Sequence, residues 1–325
     1  MKAAVLSGPG GPDHFYIEER ALPVPGPNQV LVKVKAFGLN RSELMTRKGL
    51  SPDVKFPRVL GIECVGEVEN DPGKLLAKGQ KVAAFMGGMG RDFDGSYEEF
   101  AALPRSIILP FDSQLPWVQL GAIPEMFQTV YGSLHLALRI QSGETILVRG
   151  GTSSIGLLSI QMAKQSGLRV LATTRNKDRE GLLLQSGADR VLIDDGHLSA
   201  LVHQTLPGGV DKVLELVGMT TLKDSLHCAA PGGTVCMTGM LSEQWSVANF
   251  TPMDFIPATV GLTVYDSGQI RVGADRLQEF IGLVESGVIR LSIGRTFMLD
   301  DIAEAHRVMD SNAAGGKIVV LTDPF

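Results

Sequence analysis

The chain has 325 residues, of which 44% are hydrophobic and 20% are charged, and its formal net charge at pH 7 is −5. This length and composition are typical of a globular protein with about two domains, and the net negative charge excludes the overall basic field of a nucleic-acid-binding protein. No apolar run has membrane-spanning length and no signal peptide is recognisable. We therefore expect a cytoplasmic protein with no membrane or nucleic-acid partner.

The first 119 residues have a β-rich pattern, whereas the later residues alternate between helix and strand. Apolar or alternating segments such as 30–36 and 82–85 are separated by proline and glycine, as is typical of strands joined by loops. The alternation after residue 120 predicts an α/β fold with a doubly wound parallel sheet. Its predicted helices are 129–137, 155–166, 178–186, 198–205 and 221–229, and its strands are 146–148, 169–174, 190–193, 212–216 and 234–238. Two helices, 276–285 and 302–309, and a strand, 317–321, are predicted to close the chain.

A glycine-rich loop follows the first of these strands and leads directly into a helix. Small residues at such a turn let backbone N–H groups approach a pyrophosphate at the helix N-terminus. The loop departs from G-x-G-x-x-G because Ser154 stands where glycine is common, but the helix and strand that follow supply the required context. The alternative is a glycine-rich turn without a ligand. The residues predicted to bind a dinucleotide are Gly150, Gly151, Ser154, Ile155 and Gly156.

The residues after the second strand indicate which dinucleotide binds. An NAD site places Asp or Glu about 20 residues after the loop, where it accepts from the ribose hydroxyl. Here Thr174 is followed by Arg175 and then by Lys177. Arg175 can form paired bonds to the 2′-phosphate of NADPH, so these three residues are predicted to bind NADPH in preference to NADH. For Lys177 and Arg179, the alternative is a solvated face of the next helix.

Two later strands of the predicted sheet also end in candidate cofactor-binding residues. Ligands of open α/β sheets bind at the carboxyl ends of the strands. Val217 and Gly218 follow one strand, and Gly239 and Met240 follow another. Their position predicts that they line the cofactor site.

Several separated motifs, in the same order, resemble those of the medium-chain dehydrogenase/reductase superfamily, on its zinc-independent quinone oxidoreductase branch. The resemblance extends from end to end of the chain. It implies a GroES-like β-barrel catalytic domain, residues 1–119 and 265–325, into which a Rossmann NADPH-binding domain, residues 120–264, is inserted. It also implies a homodimer that pairs an edge strand near residues 262–265. The motifs are segments 1–6, 23–34, 38–43, 57–68, 95–100, 150–156, 186–189 and 315–319.

The chain departs from the zinc enzymes of this superfamily at their metal ligands. Those enzymes have Cys near the position of Asn40 and Gly-His-Glu where this chain has Gly61, Ile62 and Glu63. Thiolate and imidazole are the ligands that Zn²⁺ prefers, so no metal site is expected. Cys64, Cys228 and Cys236 lie in apolar sequence and are expected to be buried thiols.

These features favour NADPH-dependent reduction of a quinone or an α,β-unsaturated carbonyl, because hydride addition to a conjugated acceptor needs positioning and hydrogen-bond donors rather than a Lewis acid. The resemblance implies that Asn40 and Thr129 act at the nicotinamide. Asn40 could instead cap a loop, and Thr129 could be an ordinary helix residue. Two other functions stay open: an NADPH-binding protein without physiological turnover, and a metal-free carbonyl or alcohol oxidoreductase.

Three further expectations concern the predicted catalytic domain. Glu43 is expected to pair with Arg47 one helical turn later. Glu63 is expected to bind barrel backbone or an internal cation. The loops 40–56, 86–93 and 241–268 are expected to form the acceptor pocket, with a mobile, apolar rim at 85–90.

Overall fold

The structure, a computed structural model, describes residues 1–269 and 271–323 and consists of two compact units. Unit 1 is Met1–Phe127 together with the chain from Val272, and unit 2 is Gln128–Arg271. Relative to the predicted domains, residues 120–127 belong to unit 1, where the ring of Phe127 stacks on Phe280 with centroids 4.6 Å apart. Residues 265–271 belong to unit 2.

The helices and strands follow in chain order. The first group is β1 (Lys2–Leu6), β2 (Phe15–Glu19), β3 (Gln29–Gly38), α1 (Arg41–Arg47), β4 (Arg58–Val59), β5 (Glu63–Asn70), β6 (Lys81–Phe85), β7 (Phe100–Pro104), β8 (Ile108–Pro110), α2 (Trp117–Leu120) and α3 (Pro124–Tyr131). The second is β9 (Thr145–Arg149), α4 (Ser154–Gln165), β10 (Arg169–Thr174), α5 (Glu180–Gln185), β11 (Arg190–Ile193), α6 (Leu198–Thr205), β12 (Val210–Glu215), α7 (Met219–Cys228), β13 (Ala229–Met237), α8 (Pro252–Phe255) and β14 (Gly261–Val264). The third is α9 (Ala274–Glu285), β15 (Ile293–Met298), α10 (Ile302–Asp310) and β16 (Lys317–Leu321).

Every helix and strand predicted after residue 120 is present. The ends of helix 198–205 and of strands 169–174, 190–193 and 317–321 are as predicted, and those of the other elements are shifted. The predicted helix 129–137 is the end of α3 continued by a π-helix, Gly132–Ala137. A Cβ on Gly132 would overlap the ring of Tyr265, so this helix needs glycine where the tyrosine packs. No helix within 1–269 or 271–323 is long and apolar enough to span a bilayer.

Unit 1 contains two sheets over one apolar core. Seven strands form the larger sheet, in the order β15-β16-β3-β5-β6-β8, with β7 paired to β3. The smaller sheet has the order β2-β1-β4. The alternating residues of β3 supply core side chains such as Val30, Val32 and Val34, as the period of two in a strand requires. This is the predicted β-rich, GroES-like architecture.

Unit 2 is built on a six-stranded parallel sheet in the order β11-β10-β9-β12-β13-β14. The chain moves outward from β9 to one edge and then returns to build the other, which is the strand order of a dinucleotide-binding fold. The predicted α/β fold with a doubly wound parallel sheet is therefore confirmed. Its carboxyl edge places the ends of β9, β10, β12 and β13 side by side.

A buried polar network in unit 1 corrects the predicted pair between Glu43 and Arg47. Arg47, 2% exposed, donates to both carboxylate oxygens of Asp310 (2.6 and 2.7 Å) and, through Nε, to Nδ1 of His306 (3.3 Å). Nε2 of His306 lies 3.2 Å from the Tyr97 hydroxyl, and burial beside Arg47 lowers the pKa of His306 to about 3. Arg47 therefore joins α1 to α10, because Asp310 offers it a two-oxygen partner.

Candidate functional site

The loop between β9 and α4 is closely packed at its glycines. A Cβ on Gly156 would lie 2.6 Å from the carbonyl oxygens of both Gly150 and Gly151. Gly150 has a φ of +88°, in the left-handed region where other residues are strained. A Cβ on Gly151 would lie 3.1 Å from the carbonyl oxygen of Thr173. The loop therefore needs glycine at positions 150 and 156 and leaves little room for a side chain at position 151.

The first amides of α4 lie at the end of this loop. The hydroxyl of Ser153 caps the helix, since it accepts from the N–H of Gly156 (3.0 Å) and donates to the carbonyl of Gly150 (2.9 Å). Within the described ranges, the N–H groups of Ser154 and Ile155 have no acceptor. Free amides at the positive end of a helix dipole attract phosphate, so the residues present fit the pyrophosphate of a dinucleotide.

The residues after β10 present positive charge to solvent. The hydroxyl of Thr174 turns the chain: it donates to the carbonyl of Asn176 (3.0 Å) and accepts from its N–H (3.1 Å). Arg175 and Lys177 are exposed, and neither has an ion-pair partner in the part of the chain that the structure describes. The two predicted phosphate-binding cations are thus accessible.

Glu215, at the end of β12, holds the backbone of the next candidate residues. It is fully buried, and its Oε1 accepts from the N–H groups of Val217 (2.6 Å) and Gly218 (2.9 Å). Burial raises the pKa of Glu215 above its usual range, and the hydroxyl of Ser225 donates to its second oxygen. The N–H groups of Val217 and Gly218 are therefore already engaged by Glu215, and the place of these residues in the cofactor site stays a prediction.

The structure brings the predicted cofactor-binding loops together. Gly218 has a φ of +108°, and a Cβ on it would lie 3.2 Å from the carbonyl oxygen of Gly239 and from the sulfur of Met240. A Cβ on Gly150 would lie 3.6 Å from Cγ2 of Val217. Three chain segments therefore meet at the carboxyl edge of the sheet, as the sequence predicts.

Thr129 is tied to the same region. Its carbonyl accepts from the hydroxyl of Ser133 (2.6 Å), which also bonds to the hydroxyl of Thr238 (2.8 Å), next to Gly239. Ser133 thus links α3 to the end of β13. The role of the half-buried Thr129 side chain at the nicotinamide stays a prediction.

Arg149, the last residue of β9, supports the site and was missed by the sequence analysis. It is fully buried and donates through Nε and Nη2 to both oxygens of Asp194 (2.8 Å each) and through Nη1 to Asp224 (2.8 Å). These carboxylates hold the end of β9 immediately before Gly150. The only signal in the sequence is a charged residue at the end of an apolar strand.

Unit 1 contains a second buried cluster, formed by Asn40, Glu63 and Lys317. The ammonium of Lys317 donates to Oε1 of Glu63 (2.7 Å) and to Oδ1 of Asn40 (2.6 Å), and the Asn40 amide donates to Glu63 (2.8 Å). The second oxygen of Glu63 accepts from the N–H of Glu125 (2.8 Å). Glu63 therefore binds both backbone and an internal cation, as expected, and Lys317 is a partner that the sequence analysis missed.

Glu43 completes this cluster. Its carboxylate accepts from the N–H groups of Asn40 (3.0 Å) and Ile62 (3.2 Å). Burial, with the charge of Glu63 as a second cause, raises the pKa of Glu43 to about 7. The catalytic role of Asn40 stays a prediction, and its amide orientation is set by Lys317 and Glu63.

The cluster does not fit a zinc ion. By the resemblance, Asn40 and Ile62 stand where the zinc enzymes carry Cys and His, and the Lys317 ammonium bonds to Asn40 and to the neighbouring Glu63. In residues 1–269 and 271–323, no group of three or more His, Cys, Asp or Glu side chains is arranged to hold a metal.

Two family models match the chain. A model of the alcohol dehydrogenase GroES-like domain matches residues 26–113, in unit 1. A model described as zinc-binding dehydrogenase matches residues 186–320.

Curated relatives and solved structures match over nearly the whole length. The chain is 27% identical to a quinone oxidoreductase of Lama guanicoe, over 99% of this chain and 97% of that protein. It is 26% identical to a 2-haloacrylate reductase of Burkholderia, over 99% of both proteins. The structure of mycobacterial Rv1454c complexed with NADPH superposes with a TM-score of 0.87 at 25% identity, covering 99% of this chain and 100% of that one.

Gly156→Ala is expected to weaken cofactor binding at least tenfold, because the new methyl group would push apart the carbonyls of Gly150 and Gly151 that shape the loop. Fluorescence titration with NADPH measures the loss. Gly181→Ala on α5 is the matched control, since a Cβ there meets no atom within 4 Å. Unchanged affinity in Gly156→Ala would contradict the assignment.

Lys317→Met is expected to lower the free energy of unfolding by about 3–5 kcal/mol, because it leaves Glu63 buried without its cation. Adding Glu63→Gln to that variant removes the charge and should restore most of the loss. Lys35→Met is the control, since its pair with Asp323 is partly exposed and should change stability by about 1 kcal/mol or less. Urea unfolding measures all four proteins, and equal instability of the single and double variants would argue against a buried ion pair.

Proposed function

The chain belongs to the medium-chain dehydrogenase/reductase superfamily, on its quinone oxidoreductase branch, and we propose that it transfers hydride from NADPH to a quinone or an α,β-unsaturated carbonyl compound. An oxidoreductase activity follows from the family. The observation that carries the finer proposal combines two neighbouring features. The first amides of α4 have no acceptor within the described residues and can bind phosphate, and Arg175, which has no ion-pair partner there, follows the adjacent strand. The reduced cofactor, when bound, supplies the hydride.

NADPH is preferred over NADH in this proposal because of charge. Arg175 directly follows Thr174, the last residue of β10, where an NAD site would carry a carboxylate that repels a 2′-phosphate. Arg175 is exposed and free to bind the phosphate with paired bonds. The mycobacterial relative complexed with NADPH supports this choice.

The protein's own residues position the reactants. The free amides of Ser154 and Ile155 bind the pyrophosphate, and Arg175 and Lys177 bind the 2′-phosphate. In unit 1, the Lys317 cluster orients the amide of Asn40, which we propose contacts the nicotinamide or the carbonyl oxygen of the acceptor. No general acid is assigned, because Tyr97 is fully buried against His306 and the acceptor can take its proton from solvent.

The names of the relatives favour conjugated acceptors. One is a quinone oxidoreductase and another a 2-haloacrylate reductase, and each name contains a conjugated acceptor. Such acceptors delocalise the charge that hydride addition creates, so they need no metal to polarise them. A metal-free carbonyl or alcohol oxidoreductase and a binding protein without turnover are the rival functions.

We also propose a cytoplasmic homodimer. Strand β14 forms one edge of the sheet in unit 2, and Val264 on it is 59% exposed. An exposed sheet edge can pair with the same strand of a second copy around a two-fold axis.

Arg175→Ala is expected to weaken NADPH binding by roughly 1.5–3 kcal/mol, the range of a charge-assisted hydrogen bond, and to leave NADH binding nearly unchanged. Arg169→Ala is the matched control, because this exposed arginine begins the same strand and lies at the opposite end of the sheet. Titration calorimetry with both cofactors measures the effect. Equal losses of binding free energy for NADPH and NADH would contradict the assignment of Arg175 to the 2′-phosphate.

The proposed reaction itself is tested by cofactor oxidation with purified, chelator-treated protein. NADPH with an ortho-quinone is expected to give rapid turnover, and NADPH with a simple aldehyde is expected to give little. Aldehyde reduction alone would favour the carbonyl reductase. Tight NADPH binding without turnover on either acceptor would favour the binding protein.

A further inference from the structure

Arg91 is a half-buried cation that has no carboxylate partner among residues 1–269 and 271–323. Its Nη2 donates to the hydroxyl of Ser42, its Nε is buried without an acceptor, and no carboxylate in the described residues lies within ion-pair distance. Its Nη1 also has no partner there and reaches solvent. Five other arginines with low exposure each pair with Asp or Glu: Arg20, Arg47, Arg58, Arg105 and Arg149.

Three contacts join the segment around Arg91 to residues that neighbour Asn40 and Glu63 in sequence. Gly90, the preceding residue, packs on Gly61, since a Cβ on it would lie 2.7 Å from the carbonyl oxygen of Gly61. Met86 donates from its N–H to the carbonyl of Ile62 (2.7 Å). At its other end, the Arg91 side chain reaches Ser42 in the first turn of α1, two residues after Asn40.

The apolar rim that the sequence predicts at 85–90 is largely buried at Phe85 and Met89, and its mobility stays a prediction. Met89 is 1% exposed and belongs to the core of unit 1, so it does not line a pocket. Gly87, Gly88 and Gly90 have φ between +65° and +91°, which winds the backbone tightly before Arg91. The charged group of this loop that reaches α1 is the guanidinium of Arg91, which donates to Ser42.

The carboxylates nearest in sequence to the contact between Arg91 and Ser42 belong to Glu43 and Asp92, and neither pairs with Arg91. Glu43, next to Ser42, accepts from two backbone amides, and the carboxylate of Asp92 lies against Gly88. A guanidinium that is partly shielded from water gains most from an anion with two oxygens, because the planar fork matches a carboxylate. The free Nη1 and the remaining hydrogen of Nη2 form such a fork.

We propose that Arg91 binds a carboxylate on the substrate, so that the acceptor class is a conjugated carbonyl compound that carries a carboxylate. The inference rests on the proposed reduction of conjugated acceptors and narrows its substrate class. It makes Arg91 a specificity-determining residue that discriminates an acid from its neutral amide. A neutral quinone then lacks one of the contacts that the site offers.

The test compares two acceptors that differ only in this charge, 4-oxopent-2-enoate and its amide. In the wild-type protein kcat/KM with NADPH is expected to favour the acid. Arg91→Gln should lower kcat/KM for the acid about 10- to 100-fold and change it less than about threefold for the amide. Arg91→Lys keeps the charge without the fork and should give a partial loss for the acid alone. Equal losses for both acceptors, no loss, or weakened NADPH binding in Arg91→Gln would overturn the inference.

A second measurement separates this inference from the proposed function. Calorimetry measures binding of 4-oxopentanoate, the saturated acid, and of its amide to the NADPH-bound protein, and needs no turnover. Suppose that neither acceptor is reduced but that Arg91→Gln binds the saturated acid about tenfold more weakly than the wild-type protein does. The carboxylate site is then supported and the proposed reaction is contradicted. Unchanged binding of the acid in Arg91→Gln would overturn the site.

Discussion

Inside unit 1, the ammonium of Lys317 and the carboxylate of Glu63 are 3% and 0% exposed, and neither can stay buried without the other. Their bond crosses β3, which lies between β16 and β5 in the sheet. Gly38 ends β3 where both side chains would overlap a Cβ, so the strand carries no side chain there. The amide of Asn40 then bridges the two charges. The orientation of Asn40, the burial of Glu63 and the glycine at position 38 all depend on this one pair.

In unit 2, buried charged side chains also set the positions of candidate site residues. Arg149 and Glu215 end neighbouring strands, and each has its hydrogen-bonding groups engaged by nearby partners: carboxylates for the arginine, backbone amides and a hydroxyl for the glutamate. Buried side-chain hydrogen bonds therefore fix the starts of the loops that follow these strands, whereas the first amides of α4 have no acceptor in the described residues. A loop that is fixed before its ligand arrives loses less conformational entropy on binding.

Features that depend only on residues close together in the sequence could be predicted from it. The strand, the glycine loop, the helix and the cation at Arg175 are all local, and the strand alternation identified the parallel sheet. The bonds that set side-chain orientation join distant residues, such as Lys317 to Asn40, 277 positions apart, and no local pattern reports them. The Glu43–Arg47 prediction was wrong for the same reason: helical spacing allows the pair, but Asp310, distant in sequence, gives Arg47 a better partner.

Lys317 follows Asn40 by 277 residues and Glu63 by 254, which matters while the chain is being synthesised. Asn40 and Glu63 leave the ribosome long before β16, and the whole of unit 2 is made in between. Until β16 pairs with β3, the growing chain holds an acidic group whose counter-charge does not yet exist. The larger sheet of unit 1 is therefore completed only after the parallel sheet of unit 2, although β3 and β5 are made before it, and a chain that stops before residue 317 lacks β16 and the cation of this pair.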